Sequence, residues 1–188
     1  MRVSKCIGCK DFPCTDVKHE CYVVPDIEVT PNDISIATIS VAAPANAGDY
    51  YYARGNPLFQ QRTVQAFKDA GANVSSIRDL LDLGVYFTTA VKCGKTGYSI
   101  KSSTVRECSF ILEKELALFP NLRILMLMGD VAIGALNSIA KRAGEERVMS
   151  LVPHTRSESR HIISRRRESF LHTCRPAPAF SSRRAKEE

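Results

Sequence analysis

The sequence predicts an α/β protein, a three-layer α/β/α arrangement around a central, mainly parallel sheet. Three apolar runs, Ile34 to Val41, Val85 to Val91 and Leu122 to Met128, have the length and composition of buried strands. Stretches with helical patterning separate them, as the crossover connections of a parallel sheet require. Each run closes on a turn or a small-residue step: Ala42-Ala43-Pro44, Lys92-Cys93, and Gly129-Asp130. In such folds sites form beyond the C-terminal ends of the strands, here Ala43-Pro44, Thr89 to Cys93 and Gly129-Asp130.

Taken in order, residues 1–32 form a cysteine-rich lead-in. Pro13, Pro25 and Pro31 exclude long regular elements there, so something other than a hydrophobic core is expected to hold it. After the first strand comes a polar and aromatic loop, Ala45 to Gly55, with three consecutive tyrosines, Tyr50 to Tyr52. They are read either as groups that stack on or exclude a base, or as exposed phenols of a surface loop. A helix is then expected with Asn56 as N-cap and Pro57 at its first position. It carries Phe59, Thr63, Ala66, Phe67 and Ala70 on one face and stops at Gly71.

The second strand leads into Lys92-Cys93 and a Gly/Lys/Ser loop. Thr104 with Glu107 three residues on reads as a capping box, opening a helix that runs through Phe119 and is ended by Pro120. Cys108 falls in its first turns. The third strand is the most apolar of the chain. Its turn at Gly129-Asp130 starts a helix with Val131, Ala132, Ala135, Leu136 and Ile139 inward, ending at Gly144.

The chain has 188 residues and a formal net charge of +6, with seven cysteines and no Trp. Residues 1–146 hold 16 Lys+Arg against 16 Asp+Glu, while residues 147–188 hold 10 against 4, so the basic excess belongs to the tail. The body is neutral, and its charge names no partner. From Arg147 the composition changes, with no Gly, no Asp, nine Arg and seven Ser. The expected organisation is a docked lead-in over 1–32, an α/β core over 33–146, and a basic tail over 147–188 that is disordered or non-native. No run reaches the roughly 18 apolar residues of a membrane span, and the first residues lack the apolar segment of a secretion signal. A cytoplasmic protein with no membrane partner is expected, and a monomer.

Cytoplasmic thiols stay reduced, so the cysteines point to metal or cluster ligation before disulfides. Two assignments compete. A local zinc site would use Cys6, Cys9, Cys14 and Cys21. A distributed iron–sulfur site would join Cys6 and Cys9 to Cys93 at a strand end and Cys108 at a helix start. Buried apolar thiols at Cys93 and Cys108, without metal, are the plain alternative.

Thr88-Thr89-Ala90-Val91-Lys92-Cys93, then Glu107-Cys108 on a helix, then Ile124 through Met128-Gly129-Asp130-Val131-Ala132, resembles the uracil-DNA glycosylase superfamily. The likeness is to its iron–sulfur, family 4-like branch, and it runs from about residue 6 to about residue 144. The resemblance implies a [4Fe–4S] cluster on Cys6, Cys9, Cys93 and Cys108, zinc being the alternative, and a fold that removes uracil from DNA in base-excision repair. Its first-motif loop falls on Ala43-Pro44. Its stacking aromatic maps to Phe59, in Asn56-Pro57-Leu58-Phe59, and its uracil-reading Asn maps to Thr89. The plain alternative for Phe59 is a core residue of the helix face, beside Thr63 and Phe67. The implied partner is DNA containing uracil. The other functional class in play is a noncatalytic binding module stapled by zinc or a cluster.

The pattern departs from the family in three places. Val41 and Ala42 stand where relatives carry a water-orienting carboxylate. Thr89 offers a single hydroxyl in place of an amide's matched donor and acceptor. The C-terminal His-Pro-Ser-like element is absent as such: Val152-Pro153-His154-Thr155-Arg156-Ser157 has those letters in another order, so His154 carries no assigned role. The run Glu168 to Cys174 can be encoded so that a one-frame shift reads Val-Phe-Pro-Ser-Tyr-Leu, like the element relatives carry there. No residue is assigned to catalysis.

Overall fold

A computed structural model describes residues 1–148 with their side chains and residues 160–164 as backbone. The architecture is α/β: a mixed, mostly parallel sheet flanked by helices. Strand β1 is Val17–Lys18, β2 Ile36–Ala43, β3 Val85–Lys95, β4 Ile124–Met128 and β5 Arg160–Ser164. They lie in the order β1-β3-β2-β4-β5. The centre, β3-β2-β4, is parallel, and the two short edge strands pair antiparallel. β5 draws five residues of the basic tail onto β4; His154 and the Glu168 to Cys174 run lie outside the described residues.

All three expected strands form with shifted ends. β2 and β4 start two residues late, because Ser35 O accepts from the N–H groups of Arg123 and Ile124 and so closes the ladder there. β3 continues past Val91 to Lys95 and carries Cys93 inside the sheet. Helix α1 spans Leu58–Asp69, α2 Ile77–Asp82, α3 Ser102–Leu116 and α4 Asp130–Arg142. Pro57, not Asn56, is the N-cap of α1. Thr104 is not a cap, because α3 begins two residues earlier and the Thr104 hydroxyl donates to the Asp16 carboxylate.

The sequence reading missed α2, although its signal is local. Ser76 and Asp79 form a reciprocal capping box: the Asp79 N–H donates to Ser76 Oγ, and the Asp79 carboxylate accepts from the Ser76 N–H. Six residues are too few to show helical periodicity.

Two apolar clusters lie against the sheet. The larger joins Ala37, Ile39, Tyr86 and Ala90 of the strands to Leu112 and Leu116 of α3 and to Leu136 and Ile139 of α4. The smaller joins Val85 and Phe87 to Val64 of α1 and to Ile77 and Leu80 of α2. Val85, Tyr86 and Phe87 of β3 therefore alternate between the two clusters, as the two-residue period of a strand demands.

The lead-in corrects an expectation. Its Val3, Ile7 and Val17 are buried in the larger cluster, β1 extends the sheet, and the Val23 N–H donates to Lys92 O at 2.8 Å. Apolar burial and backbone pairing help to hold it.

Candidate functional site

The C-terminal ends of β2 and β3 open onto a shallow cavity of about 620 Å³. Val41 to Ala45 form one wall, Phe59 of α1 a second, and Lys95 to Tyr98 after β3 a third. Small side chains at Ala42, Ala43 and Ala45 leave the space unfilled. The sheet also bends here. Ala42 pairs with Val91 and Ala43 with Gly94, so Lys92 and Cys93 are extra residues on β3. Such a bulge re-aims side chains at the rim of a sheet.

The structure brings Pro44 and Phe59 together in this lining. Phe59 is half-buried, with its ring 5.2 Å from that of Tyr51 in the smaller cluster, so it serves the core and the cavity at once. Thr89 is not in the lining. It is fully buried, and its hydroxyl has no hydrogen-bond partner among the described groups. Tyr98, at the rim, is fully exposed. The sequence reading noted the Gly/Lys/Ser loop without giving it a role; its position directly after a parallel strand was the available signal.

The tyrosines are not the exposed phenols of a surface loop, and none is among the residues that line the cavity. Tyr50 and Tyr51 are buried and Tyr52 half-buried, and their rings form edge contacts with one another. The Tyr52 hydroxyl accepts from the Phe87 N–H at 2.8 Å, tying the loop to β3. Burial raises the Tyr50 and Tyr52 phenols well above their usual range, with the Glu115 charge adding to it.

A buried polar network lies beneath the bulge, and the sequence reading did not anticipate it. Lys92 Nζ donates to Thr88 Oγ1 and to Thr89 O, each at 2.7 Å, and forms an ion pair with Glu115 of α3. Glu115 also accepts from the Tyr86 hydroxyl at 2.6 Å and from Thr88 at 2.9 Å. Both charges are fully buried, and their remaining valences are filled by this network.

The cysteines fall into two groups. Cys93 and Cys108 are buried, and Cys9 and Cys14 are half-buried against the same cluster. Burial pushes the Cys93 thiol up to about 12, with the neighbouring Cys108, Cys14, Cys9 and Cys21 adding to the rise. Burial likewise raises Cys108, with Cys14 and Cys9 beside it, and Cys14, with Cys9 beside it.

Cys6 stands apart. It is exposed, follows a short 3-10 helix at Val3–Lys5, and its Sγ donates to Arg2 O at 3.6 Å. Cys21 Sγ donates to Ala45 O at 2.9 Å. Among the described residues no three Cys, His, Asp or Glu side chains are grouped as a single metal ion requires. Cys9, Cys14, Cys93 and Cys108 share one neighbourhood, whereas Cys6 is exposed.

No family model matches the chain, and no curated protein does. Among the described residues no helix is long and apolar enough to cross a membrane.

Proposed function

We propose that the chain is a uracil-DNA glycosylase-like protein with that family's three-layer fold, taking an extruded uracil into the cavity beyond β2 and β3. The observation that carries this reading is the meeting of Pro44 and Phe59 in one open cavity at the C-terminal edge of a parallel pair. An enzyme or binder of a duplex base must offer the flipped base a face to stack on and polar groups for its edge. Phe59 offers an aromatic surface anchored from behind by Tyr51. Lys95 and Thr96 offer polar groups in the same lining.

Hydrolysis of an N-glycosidic bond needs stabilisation of the departing uracil's negative charge and a positioned water. Lys95 is the cation among the described lining residues and suits the first task. No carboxylate or imidazole is among those residues, which agrees with Val41 and Ala42 at the first motif. That absence from the described lining favours a second reading, a noncatalytic binder of the same base. Thr89 is not given a base-reading role, since its hydroxyl lies fully buried outside the cavity.

The test uses a labelled uracil-containing oligonucleotide and its thymine counterpart, scored for binding by anisotropy and for cleavage after alkali. Preferential binding with cleavage establishes the glycosylase. Preferential binding without cleavage establishes the binder. Equal binding to both with no cleavage removes both. In either surviving case Phe59→Ala is expected to weaken uracil binding by about 1–3 kcal/mol, the scale of a base–aromatic stack.

A further inference from the structure

We propose that the cavity draws its base from single-stranded DNA, and that Tyr98 stacks on the base next to the one admitted. The inference rests on the cavity beyond β2 and β3 being a base site, as proposed above. It adds the form of the strand and the residue that holds it.

Tyr98 stands apart from every other tyrosine of the chain. Tyr50, Tyr51 and Tyr86 are buried, Tyr22 and Tyr52 are half-buried, and each packs against at least one other ring. Tyr98 is fully exposed at the rim of the cavity, and among the described residues its ring meets no other ring and its hydroxyl has no hydrogen bond. Folding thus leaves a large aromatic surface in water at the mouth of a cavity that has a second aromatic, Phe59, in its wall.

The loop that carries Tyr98 is short and anchored. The Thr96 hydroxyl donates to Asp16 O at 2.8 Å, and the Lys101 N–H donates to the Asp16 carboxylate at 2.6 Å, so the intervening four residues are tied at both ends to one residue. Ile100 packs against the larger cluster. A Cβ added at Gly97 would meet nothing within 4 Å, so the tip is uncrowded. A loop held this way presents its ring with little ordering left to lose on binding.

Charge decides the form of the strand. Taking a base out of a duplex costs unstacking and unpairing energy, least where the strand is already single. Duplex binders draw much of their affinity from Lys and Arg on phosphates. Residues 1–146 hold 16 Lys+Arg against 16 Asp+Glu, and of the loop's two lysines Lys101 sits beside the Asp16 carboxylate. Stacking supplies affinity without charge and tolerates any neighbour, since every base has a π-face. The rim therefore suits an unpaired strand, with one base on Tyr98 while the next enters toward Phe59.

The full chain is titrated by anisotropy against a labelled single strand carrying one uracil, its thymine counterpart, and the duplex of each. In a second set 2-aminopurine replaces the base on the 5′ or the 3′ side of the uracil or thymine, and quenching of its fluorescence reports stacking. Wild type is expected to bind the uracil strand more tightly than its duplex and to quench 2-aminopurine on one side. Tyr98→Ala is expected to bind the strand about tenfold more weakly and to lose the quench, whereas Tyr98→Phe keeps both. The factor should be the same at low and high salt, because the basic tail attracts phosphate equally in wild type and variant. The side chain is exposed, so an unchanged melting temperature checks the folding of both variants. A duplex bound as tightly as the strand, or Tyr98→Ala that binds and quenches like wild type, overturns the inference. Uracil preferred over thymine with no effect of Tyr98→Ala removes this inference alone and leaves the uracil reading standing. A Tyr98-dependent quench on both strands without preference between them removes the uracil reading and keeps the stacking role.

Discussion

Lys92 and Glu115 show how much of the interior depends on single residues. Each is fully buried, and each has no counter-charge but the other within the hydrogen-bonded group of Tyr86 and Thr88. Removing one partner strands the other's charge in a low-dielectric interior, a cost of about 3–5 kcal/mol. Glu115→Ala is therefore expected to lower the urea-unfolding free energy by that amount. Lys92→Met combined with Glu115→Leu should recover most of it, since replacing the whole pair removes the desolvation penalty as well. A double variant as unstable as Glu115→Ala would show that the hydroxyls, not the charges, carry the cost. Asp79 is a second residue with a pH signature. Hydrogen bonds from the Ser75 N–H and hydroxyl and from Ser76 lower its carboxyl from 3.8 to about 2. A depressed carboxyl contributes stability that is fully present above its unfolded value and is lost as pH falls through the folded one. The contribution should fade between about pH 4 and pH 2. In Asp79→Asn the melting temperature should be lower at pH 7 and should lose this part of its acid dependence.

Among the elements, β3 concentrates the structural constraints. Its bulge places Gly94 where a Cβ would lie 2.6 Å from Cys21 Cβ and 3.1 Å from Pro44 O, so only glycine lets the lead-in cross the strand this closely. Gly94→Ala is expected to cost about 1–3 kcal/mol through overpacking and to loosen the 14–23 segment, read as faster amide exchange at Lys18 and Val23. Unchanged exchange there would mean the segment does not depend on the close approach. The strands β2, β3 and β4 and the helices α1, α3 and α4 were legible because each is long and its apolar residues follow one period. Helix α2 was not, being six residues defined by the Ser76–Asp79 cap alone; Ser76→Ala should cost about 1 kcal/mol in unfolding experiments. The cavity was legible in outline from Ala43-Pro44 and Phe59. Its third wall, Lys95-Thr96-Gly97-Tyr98, was signalled only by its position after a parallel strand and not by its own residue types. Burial of Thr89 and of the tyrosines depends on what α1 and α3 lay over them, information that no local pattern carries.

At the scale of the whole molecule, the lead-in and the core are joined by contacts between residues some 80 positions apart, and the Asp16 carboxylate is the most concentrated of them. Helix α3 has no capping side chain of its own at Lys101. Asp16 supplies the cap from outside, accepting from the Lys101 N–H and the Thr104 hydroxyl. Burial opposes its ionisation, but those two hydrogen bonds outweigh it and hold the carboxyl below its ordinary range. A negative charge at a helix N-terminus is also favoured by the helix dipole. One interaction thus caps α3 and moors residues 14–18. Its stability contribution is present above the unfolded carboxyl value and falls away as pH drops through the lower folded one. Asp16→Ala is expected to cost about 1 kcal/mol, the scale of a lost cap. Its more telling effect should be local. Val3, Ile7 and Val17 keep the lead-in's apolar contacts, while the tie between it and α3 is cut. Limited trypsin digestion at neutral pH should then cleave after Lys10 and Lys18 faster than in the wild type, with little change at sites in α4 such as Lys141. Cleavage that accelerates equally at Lys141 would mean that Asp16 supports the fold as a whole, and cleavage unchanged at Lys18 would mean that β1 alone holds the segment down.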